Sequence, residues 1–263
     1  MIHFPHKDRY DYQDLLTMIA MLRSKDGCPW DKVQTHESIC RGMLEETYEA
    51  VEAIQNGDPV LMCEELGDVM MQVVFHADIE KDAGRFTMED VCDGVVKKLL
   101  YRHPHVFGGA PEEESAESVL VSWDKLKRTE KEQRTTGDAM DSVARTLPGL
   151  WRAEKIQNKA AKDGFDWKDI HGAMDKLHEE VDELGQAVAQ QSNVEEELGD
   201  VLFAAVKVAR FAGVDPETAI AAACEKFIRR YRAVEAGAAA QNLTVSQLSL
   251  DEMQELWDNS KSF

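Results

Sequence analysis

Leu44–Val69 reads LEETYEAVEAIQNGDPVLMCEELGDV, and its pattern returns at His178–Val201 as HEEVDELGQAVAQQSNVEEELGDV. Each stretch spaces its apolar residues at a helical period on both sides of a polar break, which predicts two consecutive helices. Asn56-Gly57 is a helix stop, and Asp58-Pro59 supplies a new N-cap with proline at the first helical position. Upstream, Thr35 opens the run that ends at Asn56, and the run after Pro59 stops near Gly84. Downstream, Thr87-Met88-Glu89-Asp90 fits a capping box, and that helix must end before Pro104. In the second half, helices are predicted over 149–162, 171–190, 194–212 and 216–238, the last opened by Asp215-Pro216. No segment alternates with period two in β-branched residues. The fold class is therefore all-α, built as two tandem bundle-like repeats. Each repeat supplies only about four helices, so completion by dimerisation is expected.

The internal match extends beyond the acids. Lys25-Asp26-Gly27 with Trp30-Asp31 is echoed by Lys162-Asp163-Gly164 with Trp167-Lys168-Asp169. Lys98-x-x-Tyr101-Arg102 matches Lys226-x-x-Arg229-Arg230, and Glu117 to Trp123-Asp124 matches Asp251 to Trp257-Asp258. Two copies at a spacing of about 130 residues indicate a duplicated domain, not a solenoid. Between them Thr129–Ser142 (TEKEQRTTGDAMDS) is polar and poor in apolar residues. The expected division is a first domain over 1–130, a linker over 131–146 and a second domain over 147–263.

Acids outnumber bases 50 to 30 in the 263 residues, a formal net charge of −20. Such a surface repels nucleic acid and anionic membrane, so neither is expected as a partner. The five cysteines (Cys28, Cys40, Cys63, Cys92, Cys224) form no C-x-x-C pair. That argues against a disulfide framework or zinc ribbon and for a reduced compartment. The opening MIHFPHKDRYDYQD has no apolar signal core, and a cytoplasmic location is expected.

The acids carry the chemistry. At about 100° per residue, Glu45, Glu46 and Glu49 fall within one arc, and Glu65 and Asp68 share a face on the next helix. Glu179, Glu180, Glu183, Glu197 and Asp200 repeat this arrangement. Apolar residues flank both sets, so the acids sit beside the core-facing stripe. Carboxylates that dense repel one another unless a cation sits among them. Mg²⁺ takes hard oxygen ligands and keeps waters that a phosphate can displace. Gly67 and Gly199 each interrupt a helix at a cost of about 0.8–1 kcal/mol relative to alanine, which suggests close backbone approach there. A solvated acidic face is the bland alternative.

With Cys28-Pro29-Trp30-Asp31 and Arg102-His103-Pro104-His105-Val106-Phe107 added to the paired acidic motifs, nearly the whole chain resembles the two-domain bacterial form of the MazG family of nucleoside triphosphate pyrophosphohydrolases. The resemblance implies an all-α fold, dimerisation, Mg²⁺ dependence (Mn²⁺ a substitute), and hydrolysis of NTPs or dNTPs to monophosphate and pyrophosphate in nucleotide-pool housecleaning. Carried over residue by residue, Glu180, Glu183, Glu197 and Asp200 become the metal set. Glu46, Glu49, Glu65 and Asp68 become a possible second set. The nucleotide-binding positions fall on Lys176, Glu179, Asn193, Glu196, Lys226, Arg230 and Trp257. The family has a basic residue where this chain has Asn193, a departure that bears on one phosphate contact.

Lys176 stands one turn before Glu180, whereas Gly42 holds the matching position before Glu46. A triphosphate needs cations that metal alone does not supply, so the second repeat is expected to be catalytic. Glu179 is the first candidate for orienting or deprotonating a water. Lys226 and Arg230 are open to a plainer reading as surface partners of Glu225 and Glu235. Trp257 and Trp123 either stack on a base or pack beside Leu256 and Leu120. His103 and His105 suit a helix cap better than a metal, and Cys28 suits a small buried position. Two other classes remain: a di-iron carboxylate bundle, which lacks the Glu-x-x-His pairs it needs, and a non-catalytic acidic helical adaptor that binds a partner protein or nucleotide.

Overall fold

A computed structural model describes residues 3–109 and 115–262, excepting the side chains of residues 116, 117, 120 and 262. All regular structure among them is helical. The chain separates into two compact units, Met1–Leu126 and Lys127–Phe263. Among the described residues, no helix is long and apolar enough to cross a membrane.

In the first unit α1 (Tyr12–Arg23) precedes a long pair, α2 (His36–Asn56) and α3 (Pro59–Asp82). Thr35 caps α2 in a capping box, Gly57 ends it in the left-handed conformation, and the Asp58 side chain accepts from Val60 and Leu61 N–H to start α3. Proline after Asp58 leaves no amide unsatisfied at that position. The pair thus folds back on itself within two residues. α1 packs on α3 around buried Ile19, Ile39, Val74 and Phe75, flanked by Leu15, Leu22, Met71 and Ile79. α4 (Met88–Arg102), capped by Thr87 and Asp90, ends before α5 (Pro104–Phe107), as the proline requires. His103 Nδ1 bonds the Leu99 carbonyl at that end, and the Arg102 guanidinium lies over half-exposed Trp123. Cys28 is half-buried. The side chains of Glu117 and Leu120 lie outside the described ones.

α6 (Ala116–Glu130) runs across the division at Leu126, and the polar stretch 131–146 carries α7 (Thr136–Asp141) behind a Thr135 capping box. The second unit continues with α8 (Gly149–Lys162), α9 (Ile170–Gln190), α10 (Val194–Phe211), α11 (Pro216–Ala240) and α12 (Leu250–Asn259). α9 and α10 repeat the α2–α3 hairpin, with α8 against α10 and α12 against α11. Small buried residues (Ala173, Ala187, Ala204, Ala238) let these helices approach closely. A Cβ on Gly237 would lie 2.5 Å from the Leu256 side chain, so α12 needs that glycine. Gly67 and Gly199 depart from expectation. A Cβ at either would meet no heavy atom within 4 Å, so no close backbone approach requires these glycines.

The far end of the α2–α3 pair is tied by polar contacts. His36 Nε2 bonds Glu80, and His36 Nδ1 lies 2.7 Å from His76 Nδ1. Arg85 adds two bonds to Glu80, and these hold the Glu80 carboxyl down to about 2. Burial, with His36 alongside, pushes His76 below the ordinary imidazole value. One Nδ1 must donate to the other, so protonating both rings sets two donors face to face. A base lowered in the folded state contributes stability that is complete above its unfolded value, about 6.5, and is lost as pH falls below it. The melting temperature is therefore expected to drop between pH 7 and pH 5, with His76→Gln flattening that part of the profile. Equal slopes for parent and variant would remove His76 as the cause.

Candidate metal and nucleotide site

Each hairpin gathers the same three carboxylates. Oxygens of Glu180, Glu183 and Glu197 all lie within 4.8 Å of one another, and those of Glu46, Glu49 and Glu65 do likewise. Glu180 and Glu65 are the buried members. The period explains this: Glu180 and Glu183 are one turn apart on α9, and the short 191–193 connection brings Glu197 on α10 beside them. Asp200, a turn beyond Glu197, joins Glu180 in lining a neighbouring cavity but stands outside the tight triad.

Both triads are strained electrostatically. Burial raises the Glu65 carboxyl, and the charges of Glu49, Glu64, Asp68 and Glu46 raise it further. Glu46 is raised by burial, then by Asp68, Glu49 and Glu45. Glu183 is raised by burial and by its hydrogen bond and charge contact with Glu180. A divalent cation among these carboxylates would offset their repulsion.

The halves differ in what surrounds the acids. Lys176 Nζ lies 2.8 Å from Glu180 and 2.9 Å from Glu179, and these bonds push the ammonium above its usual value. At the matching position Gly42 leaves room for Gln72, whose Nε2 would lie 3.1 Å from a Cβ there. Arg41 turns to solvent and pairs with Glu45 at 2.8 Å. Asn193 precedes α10, and its Nδ2 donates to Glu197 at 2.6 Å and to Glu196 at 3.4 Å. Asn193 thus acts on the acids, where a basic side chain would reach outward.

A cavity of about 370 Å³ opens beside the second triad, lined by Phe165, Asp166, Trp167, Lys176, Glu180, Asp200, Phe203 and Lys207, among others. Lys226, Arg230 and Trp257 do not line it. They form their own group on α11 and α12, where Trp257 meets Phe227 at 5.0 Å and the Arg230 guanidinium lies 5.8 Å from the indole centre. Lys226 is exposed. Phe165, Phe203 and Lys207 were missed from the sequence because nothing in their spacing ties them to the acids. The echo of Trp30 by Trp167 was the one available signal.

The MazG nucleotide pyrophosphohydrolase domain matches residues 34–107 and again 169–235, one match per hairpin. The nucleoside triphosphate pyrophosphohydrolase of Escherichia coli (strain K12) is 44% identical over 252 residues, covering 94% of this chain and 95% of that one. The nucleoside triphosphate pyrophosphohydrolase/pyrophosphatase MazG of Thermotoga maritima is 39% identical over 250 residues, 95% of each chain. An uncharacterized Bacillus subtilis protein, YabN, is 41% identical over 255 residues, which are 96% of this chain and 52% of that longer one. With both hairpins matched and near full-length relatives at these identities, the chain belongs to the MazG nucleotide pyrophosphohydrolase family.

Proposed function

We propose that the chain hydrolyses nucleoside triphosphates to the monophosphate and pyrophosphate, that it needs Mg²⁺, and that its second repeat does the work. The observation that carries the reading is the triad of Glu180, Glu183 and Glu197 beside a cavity that Lys176 also lines. The donor set fits Mg²⁺: the ligands are all carboxylate oxygens, close enough for one ion, and Asp200 lines the cavity beside them with Glu180. Mn²⁺ takes the same ligands. A bound ion would supply a water of lowered pKa and neutralise phosphate oxygens.

The protein's own groups do the rest. Glu179 is exposed, stands outside the triad and accepts from Lys176, so it can orient the water or take its proton. Lys176 could exchange its carboxylate partners for phosphate oxygens and so meet the charge that develops on the leaving pyrophosphate. Lys226, Arg230 and Trp257 would contact the nucleotide from α11 and α12. The first repeat keeps its acids but has no cation in Lys176's place, and we assign it metal binding without turnover.

Exposed apolar side chains on the acid-bearing hairpins, on α4 and on α11 support a homodimer. They include Leu66, Met70, Val96 and Leu100 in the first unit and Val188, Leu202 and Ile220 in the second. A second copy is the expected cover. The net charge and unpaired cysteines support a cytoplasmic location.

Pyrophosphate release measured over a panel of NTPs and dNTPs tests the activity. Glu180→Gln and Asp200→Asn are expected to lower turnover by about 100-fold or more with helical content unchanged. The loss from Glu180→Gln should exceed that from Glu46→Gln by at least about tenfold. Turnover of Glu180→Gln at the parent's level would overturn the assignment, and no release from any nucleotide would favour an acidic adaptor. Mg²⁺ at about 100 times its Kd is expected to raise the melting temperature by about 5–10 °C. No shift with Mg²⁺ or Mn²⁺ would remove the metal from the reading.

A further inference from the structure

A second cavity of the second unit, of about 380 Å³, opens between the end of α6, the 142–147 connection and α8. It shares no lining residue with the cavity beside the acids. Four lysines line it: Lys127 from α6, and Lys155, Lys159 and Lys162 from α8. In a chain of net charge −20, four ammonium groups around one hollow run against the character of the surface. Their spacing puts the three lysines of α8 on one face, at i, i+4 and i+7, where like charges repel and weaken a helix. The last turn of a helix favours positive charge, which accounts for Lys159 and Lys162. It does not account for Lys155, about two turns from that end. Packing does not require it either, because α8 buries Ala153 and Gln157 instead. Lys127, Lys159 and Lys162 have interactions of their own within the protein, so an anion would compete for them, while Lys155 is exposed.

The first repeat has the same hollow with different chemistry. The match of Lys25-Asp26-Gly27 with Lys162-Asp163-Gly164 sets Met18, Met21 and Leu22 of α1 opposite Lys155, Asn158 and Lys159. Those three line a cavity of about 260 Å³, together with Phe4 from the segment before α1. One helix face thus borders a hollow in both units. In the first it offers three apolar side chains to an aromatic ring of the same chain; in the second it offers two ammonium groups and an amide. The wall opposite is held in place, since Thr136 donates to Asp163 and ties α7 to the end of α8. Ser142 donates to the Ala139 carbonyl at 2.8 Å, which leaves the Asn158 amide as a neutral donor on the lining.

We propose that this lysine-lined cavity is an anion site separate from the acidic one, and that it takes a small inorganic polyphosphate of the pyrophosphate class. Lysine meets phosphate as a point charge, and several lysines together favour the ion that carries the most charge in the least volume. Val143, Ala144 and Leu147 give the lining no ring on which a base could stack. Among the described residues no carboxylate lines it to hold a metal. The ligand is therefore the bare anion and not a nucleotide or a metal complex. The reaction proposed above releases such an anion, and the choice of pyrophosphate rests on that reading. The preference for multiply charged anions rests on the lysines alone.

Calorimetric titration of the full-length protein in EDTA tests this, because without a divalent ion the acidic site repels anions. Pyrophosphate, orthophosphate and sulfate are titrated at equal ionic strength into the parent, Lys155→Gln, Lys159→Gln, the double variant and Lys176→Gln. Pyrophosphate is expected to bind the parent at least about tenfold more tightly than orthophosphate or sulfate. Each single substitution in the cavity should weaken it about three- to tenfold, and the pair about 30-fold or more. Lys176→Gln, at the acidic site, should leave the affinity within about twofold. A melting temperature of Lys155→Gln within about 2 °C of the parent shows that the loss is not unfolding. A double variant that binds like the parent, an equal loss at Lys176→Gln, or sulfate held as tightly as pyrophosphate would each overturn the site. An active parent that binds no pyrophosphate in EDTA would sink this inference and leave the reaction standing. Binding lost in the double variant, from a parent that releases no pyrophosphate from any nucleotide, would keep the anion site and remove the reaction.

Discussion

Mutual repulsion among three carboxylates within 4.8 Å is the constraint around which both hairpins are built. Left alone it works against folding, because each raised carboxyl marks a charge the folded chain would sooner not carry. The helices hold the acids together anyway, through caps, tight connections and buried apolar residues close to the charges. A polar group kept buried at such cost belongs to function more often than to stability. In the second unit Lys176 answers part of the repulsion from inside the chain, which gives the site a resting counterion that a phosphate can take over.

The two repeats have spent the same framework differently. Where the second places Lys207 and Arg210 around Asp166, the first turns the corresponding positions inward as Phe75 and as Asp78 paired with Arg23. Where the second has Lys176, the first has Gly42 filled by Gln72. The first unit also carries the His36, His76, Glu80 and Arg85 group, a polar tie across the end of its hairpin. In the first unit these positions hold helices together. The acids themselves are the part that did not change.

Most of the fold was legible because its signals are local. Thr35, Asp58-Pro59, Thr87 and Asp215-Pro216 are caps that act within a turn of the residues they start, and each begins a helix in the structure. The acidic triads were legible for the same reason, being set by i, i+3 spacing and one short connection. What the sequence hid depends on helices distant in sequence. Phe203 and Lys207 belong to α10 but meet Phe165 and Trp167 only through the packing of α10 on α8 and against the loop before α9. Gly67 and Gly199 misled for a related reason: glycine in a helix suggests an approaching backbone, yet a Cβ at either would meet open space.

The exposed apolar residues bear on how the second site would be completed. Lys226, Arg230 and Trp257 cluster on α11 and α12 without lining the cavity that holds Glu180 and Asp200. If all of them handle one nucleotide, either α11 moves toward the cavity or the second copy brings its own α11. The exposed apolar residues favour the copy, because Leu198, Leu202 and Phe227 lie on the helices such a partner would have to cover. A helix pair with acids on one side of its stripe and bare leucine on the other would make half of a bundle. Closing that bundle would exclude water from around the triad and strengthen every charge interaction within it. Assembly and chemistry would then draw on the same buried face.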